Sequence, residues 1–398
     1  AAGIAGAGQQ GDRQLRQTGS GAVGSGAAEN PLRQDHATHS AQDSLQRTRH
    51  AGGYLNAGRP KRGRRADRLA PESITAVQPR LRDALPQPWL ALEGPELVAL
   101  GAKQHTIAME YIRKKIESQV LGLSGIALGQ IDFENPKGDP GLFGPDSISW
   151  QLHGDFTSML VGGISALLMQ ALHPLALAGV WDHSNFRQDL LGRLRRTGQF
   201  ISGTTFGAKA DADWLIEKVK TIHLQVTGTA PDGRSYAASD PALLTWVHVA
   251  EVHSFLQSHL RYRNPNLSGA DQDSYYAEIA VIAERLGATN VPRSRAQVAE
   301  YLQDMRPHLL CDERSLEILQ ILLNAPAPSL LAGVAGKLFM QGGIDLLPEW
   351  AQRMLGQPVS PQRSRLIRTS INQLAPLLRW AVRSGAIHRA RKRLGIEQ

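Results

Sequence analysis

The chain has 398 residues, 42% of them hydrophobic, enough to bury a substantial core in one large domain or two ordinary ones. Its formal charge of +8 sits at the ends: residues 1–85 carry 13 Lys/Arg against 7 Asp/Glu and 361–398 carry 9 against 1, which leaves 86–360 acidic at −6. A body without a basic surface argues against a nucleic-acid enzyme, and one cysteine, Cys311, with no CxxCH motif excludes an intrachain disulfide and a covalently attached c-type haem.

From Ala1 to about Ala84 the chain is rich in Gly, Ala, Gln, Arg and Ser, without sustained periodicity, and reads as a disordered basic segment, 1–85. Its GxGxxG matches, GAGQQG at 6–11 and GSGAVG at 19–24, follow no strand and reflect composition. The run KRGRR at 61–65 has no apolar stretch behind it, so no credible signal peptide is present and a cytoplasmic location is expected. Order is expected from Pro86–Val98 onward, giving a helical domain over 86–398. A first helix runs through PELVALGAKQHTIAMEYIRKKIESQVLGLSG, and the Gly- and Pro-punctuated loop NPKGDPGLFGPDS follows at 135–147.

The 26 residues from Phe156 to Trp181 contain no Asp, Glu, Lys or Arg, so by composition they resemble a membrane span. The break at His173-Pro174, with Gly162-Gly163, Ser158, Ser165 and Gln170, instead predicts two core helices joined at the proline. A span, or contact with a membrane surface, is the minority reading. Further helices are expected at about 184–206, 209–227, 240–261, 270–287, 295–306, 312–323 and 362–392. Ser184, Asp211 and Asp240 with Pro241 supply N-terminal signals, and Asp232-Gly233 fits a tight hairpin. The basic C-terminal residues read as solubilising or as loose anion contacts.

His153, His173, His223, His248 and His253 fall on or near helices dense in apolar residues. One such histidine alone is more often a hydrogen-bonded core residue than a ligand. His223 lies one turn beyond Val219, at the edge of the stripe Leu215, Val219, Ile222 and Val226, and so needs a hydrogen bond, a proton-transfer role or a metal. Arg193 and Thr197, four apart beside Leu190, Leu194 and Ile201, form either a pocket pair that binds a carboxylate and a bound oxygen, or part of a solvated basic face with Arg195 and Arg196. His248 shares a face with Leu244, Val252 and Phe255, and is either a distal pocket group or a bonded core residue.

The ordered series GLFGPDSISW (141–150), LLMQALHPLALAGVWDHS (167–184), FRQDLLGRLRRTGQFI (186–201), IHLQVTGTAPDGRSYAASDPALLTWVH (222–248) and DSYYAEIAVIAERLG (273–287) resembles the MpaB and latex clearing protein (rubber oxygenase) family, most strongly over 140–310. The resemblance implies an all-α fold, a single large helical domain with a globin-like core that holds a non-covalent haem b. By position in IHxxVxG it implies His223 as the axial iron ligand, and by RxxxT it implies Arg193 and Thr197 as catalytic and haem-pocket residues; His248, from its inward-facing position alone, is the further candidate for cofactor contact. It also implies dioxygen and an apolar, small or polymeric isoprenoid partner, with oxidative cleavage of a carbon–carbon double bond. The latex clearing branch carries a carboxylate in the helix before the arginine, and 156–181 carries none, which weighs against polyisoprene itself. A helical haem or lipid carrier without turnover, and a membrane-surface protein using 156–181 and RARKRLG at 389–395, stand as the other classes.

Overall fold

In the computed structural model, which describes residues 94–325 and 330–396, the uncharged segment folds as two helices and not as one continuous helix. Helix α3 (Phe156–Gln170) starts at Asp155, whose carboxylate accepts from Ser158 N at 2.9 Å, and helix α4 (Pro174–His183) starts at His173, whose Nδ1 accepts from Ala176 N at 3.4 Å. Pro174 needs no backbone donor at the first helical position, and the two helices meet at 104°. Val161, Leu168, Met169, Leu172 and Leu177 are buried, which accounts for the missing charges. Among the described residues no single helix is long and apolar enough to cross a membrane. The expected segment 1–85, and its boundary with the helical domain, lie outside the described residues.

Helix α7 (Pro241–Tyr262), capped by Asp240, runs against α3 through the centre of the fold. Gly162 permits the close approach, since a Cβ there would lie 3.0 Å from both Phe255 Cα and Ser254 O. Around this pair pack α1 (Gly94–Leu123), α2 (Ile148–His153), α5 (Leu190–Phe206), α6 (Lys209–Gln225), α8 (Gly269–Leu286), α9 (Arg295–Met305) and α10 (Glu313–Leu323). Between α6 and α7, β1 (Thr227–Thr229) and β2 (Ser235–Ala237) form an antiparallel hairpin with Gly228 opposite Tyr236, and Gly233 takes φ 85° in the expected Asp-Gly turn. The all-α expectation holds, with this hairpin as the one sheet among the described residues.

Several boundaries differ from the sequence reading. Helix α5 begins at Leu190 with Asp189 as its cap, while Ser184 closes α4. Asp211 lies within the first turn of α6, whose N-cap is Ala208. The helix expected over 362–392 is two, α13 (Pro361–Ala381) and α14 (Ala386–Arg393). The break has a physical cause: Glu117 of α1 accepts from Arg383 N, Ser384 N and Ser384 Oγ at 2.7–2.8 Å, holding 382–385 in a turn. Helices α2, α11 (Leu330–Leu346) and α12 (Glu349–Met354) carried no sequence expectation.

The C-terminal arginines are also not simply solvated. Arg368 and Arg379 pair with Asp345 at 2.9 Å and Asp155 at 2.6 Å. Arg393, 1% exposed, donates to the carbonyls of Asp139, Phe133 and Gly207. Part of this basic charge thus fastens the last helices to the body.

Candidate functional site

A cavity of about 310 Å³ lies between the end of α3, α4, α5, the end of α6, the hairpin, α7 and α10. Leu167, Leu175, Val180, Leu194, Val226 and Ile318 make its walls predominantly apolar. The volume is near the small end of the range for ligand sites.

Two of the residues singled out in the sequence meet here. Arg193 enters from the first turn of α5, and His223 from the last turn of α6. His223 Nδ1 is buried with no hydrogen-bond partner, and burial draws the imidazole pKa below its ordinary value. The ring is therefore neutral at pH 7, with a lone pair uncommitted, which is the state a metal-ligating imidazole requires.

Arg193 Nη1 donates to Ser184 Oγ at 3.0 Å, and no carboxylate of the described residues pairs with it. Burial, and then the neighbouring Arg196, pull its pKa down, although a guanidinium remains charged throughout the accessible range. Arg196, more exposed, bonds Asn185 and approaches Asp189 at 3.6 Å. The two possibilities left open by spacing thus separate: Arg193 faces the cavity, and Arg196 belongs to the solvated face.

Thr197 and His248 are not brought into this cavity. Thr197 lies one turn beyond Arg193, where it is exposed and is not among the residues lining the cavity. On α7 Leu243, Leu244 and Val247 line the wall, and His248 is not among the lining residues. His248 is half-buried, its Nε2 has no partner, and burial lowers its pKa to about 4.

The structure adds residues that spacing did not single out. His183 Nε2 donates to Thr227 O at 3.1 Å, and its ring meets Tyr236 edge-on. Tyr236 donates its hydroxyl to Asp182 Oδ2 at 2.7 Å, and burial, reinforced by that carboxylate, raises the phenol to about 12. Both His183 and Tyr236 line the cavity. Their sequence signal is slight: Tyr236 is read as a hairpin residue, and only pairing across from Gly228 reveals its inward aim. A Cβ on Gly228 would fall 2.5 Å from the Tyr236 oxygen, so this glycine is needed for the phenol to sit where it does.

No cluster of His, Cys, Asp or Glu among the described residues has the arrangement of a protein-only metal site. The cavity offers two imidazoles, of which His183 is bonded through Nε2 to Thr227 O and His223 has an unpartnered Nδ1, with one guanidinium and hydrocarbon walls. That donor set can hold a flat, largely apolar group with one coordination bond and an anionic edge.

No curated protein and no solved structure matches the chain. The family model described as ER-bound oxygenase mpaB/B'/Rubber oxygenase, catalytic domain, matches residues 150–384, a range that contains every helix facing the cavity. The chain therefore belongs to the mpaB/rubber oxygenase catalytic-domain family and is, in general terms, an oxygenase.

Proposed function

We propose that the chain is a haem-b-dependent oxygenase that uses dioxygen on an apolar alkene, with an isoprenoid as the substrate class. The observation that carries this is the pairing, in one apolar cavity, of an unbonded neutral imidazole with a guanidinium that has no carboxylate partner. Each is costly to bury by itself, and a haem satisfies both: iron takes a ring nitrogen of His223, and a propionate takes Arg193. A macrocycle is larger than the present void, so seating it requires the lining side chains to spread.

When bound, the haem supplies the activation of dioxygen. The chain's own residues do the rest. His223 would hold the iron, and Arg193 would hold the anionic edge. The leucine and valine walls exclude bulk water and accept hydrocarbon, which fits the word rubber in the family's description. Tyr236, held by Asp182, places a hydroxyl on the wall whose proton stays in place up to about pH 12.

One observation favours a second reading, a haem or lipid carrier without turnover. The residues lining the cavity include no Asp or Glu, and the nearest acid in sequence, Asp182, is committed to Tyr236.

The purified protein is expected to show the Soret band of haem b, and His223→Ala to lose it while far-ultraviolet circular dichroism keeps its helical signal. Full haem occupancy with an unchanged visible spectrum in His223→Ala would remove the ligand assignment. Oxygen uptake on a panel of prenylated and polyisoprenoid compounds separates the two readings, since a haem-loaded protein inert toward the whole panel is a carrier.

A further inference from the structure

A second cleft, of about 540 Å³, opens where α13 and α14 meet the start of α3. None of its lining residues belongs to the cavity around His223. Part of its wall, Ile387, His388 and Arg391, follows residue 384, where the match to the family ends. The cleft is thus built partly by residues beyond the matched range.

Three arginines face it, and they are not equivalent. Arg379 is spent on Asp155, at 2.6 and 3.2 Å, and on Tyr262 O at 2.8 Å. Arg263 and Arg391 are exposed, and neither side chain makes a hydrogen bond or ion pair among the described residues. Asp146, at the rim, is the one lining carboxylate left to oppose them, so the cleft has an excess of one positive charge. Three further lining residues carry buried polar atoms without partners, Trp150 Nε1, Thr157 Oγ1 and His388 Nδ1. Beside these groups Leu378, Val382 and Ile387 offer half-buried hydrocarbon.

Unpaired guanidinium groups select carboxylate or phosphate, and an adjoining apolar strip selects a ligand with a hydrocarbon body. We propose that this cleft binds an amphiphilic anion, its carboxylate or phosphate head taken by Arg263 and Arg391 and its chain laid against Leu378, Val382 and Ile387. The site lies apart from the cavity of His223, and its occupancy is independent of whether haem is present.

Calorimetric titration of the full chain with octanoate and octyl phosphate tests this, with co-sedimentation on phosphatidylcholine vesicles with and without phosphatidylglycerol as the second arm. One molecule of soluble amphiphile per chain is expected, with affinity reduced about tenfold in Arg263→Ala and in Arg391→Ala. Lys337→Ala, the same charge change at an exposed site outside the cleft, is expected to bind as the parent does. Arginine-dependent binding of the soluble compounds identifies a free ligand, and arginine-dependent sedimentation with anionic vesicles alone identifies a lipid headgroup; either supports the site. Absence of binding in both arms, or binding unchanged by both substitutions, overturns it. Inorganic phosphate binding as tightly as octyl phosphate overturns the amphiphile, because the apolar wall would then contribute nothing. All these readouts are of binding, so loss of oxygenase activity or of haem leaves them interpretable.

Discussion

Arg193 is held where its charge is disfavoured, since burial and the adjacent Arg196 both act against it. Such a group stays in a fold when something anionic visits it, and a hydrogen bond between charged partners contributes about 1.5–3 kcal/mol. Arg193→Ala is therefore expected to weaken haem retention by roughly tenfold or more, while Arg196→Ala, whose side chain is about half exposed, stays within roughly twofold. Haem titration of the two variants checks this, and equal losses would return Arg193 to the solvated face. Spacing brought Arg193 and His223 to attention, but two facts about them belong only to three dimensions. One is that no carboxylate folds back onto Arg193, and the other is that nothing bonds His223 Nδ1. The same spacing grouped Thr197 with Arg193, although a step of four residues carries a side chain a full turn along the helix and partly around it.

The hairpin is the element most exposed to a small change. Gly228 and Tyr236 are paired in register, and the phenol fills the space that a side chain at 228 would need. Gly228→Ala is expected to push Tyr236 off Asp182 and out of the cavity wall, at a cost of roughly 1–3 kcal/mol from overpacking. Thermal unfolding and the tyrosine absorbance near the phenol's titration read the two effects separately: a phenol that titrates near 10 has left its carboxylate, and one still near 12 has not moved. At this scale much was legible. The Asp240-Pro241 start, the Asp-Gly turn and the proline corner at 173–174 each rest on local chemistry that overrides little else. The failures are where local signals compete or vanish. Ser184 and Asp189 are both good caps, and which one starts α5 depends on how α4 ends. The turn at 382–385 is imposed by Glu117, 266 residues away in sequence, and no window along 362–392 contains that information.

Across the whole molecule, acid is the condition that the buried histidines resist least. His153 is drawn to about 3 and His173 and His259 to about 4, in each case chiefly because burial opposes the charged form. A histidine with a depressed folded pKa favours the fold above the unfolded value, near 6.5, and that stability is lost as pH falls toward the folded value. Each of the three therefore contributes a slope on the order of 1 kcal/mol per pH unit below 6.5. Glu251 runs the other way, its pKa raised to about 7 by burial, so acidification relieves it, but it is one group against these three and against His248 and His253, which burial also draws to about 4. The unfolding temperature is expected to fall on the order of 10 °C between pH 7 and pH 5, above the range where most carboxylates titrate. His173 makes the prediction specific. Its Nδ1 is the acceptor that caps α4, and a proton there both charges a buried ring and removes the cap at the corner between α3 and α4. Asparagine caps a helix with a side-chain oxygen that does not titrate, so His173→Asn should keep the corner and flatten part of the pH dependence between 6.5 and 4. Melting curves of both proteins across that interval measure the difference, and parallel curves would show that His173 carries none of the acid sensitivity.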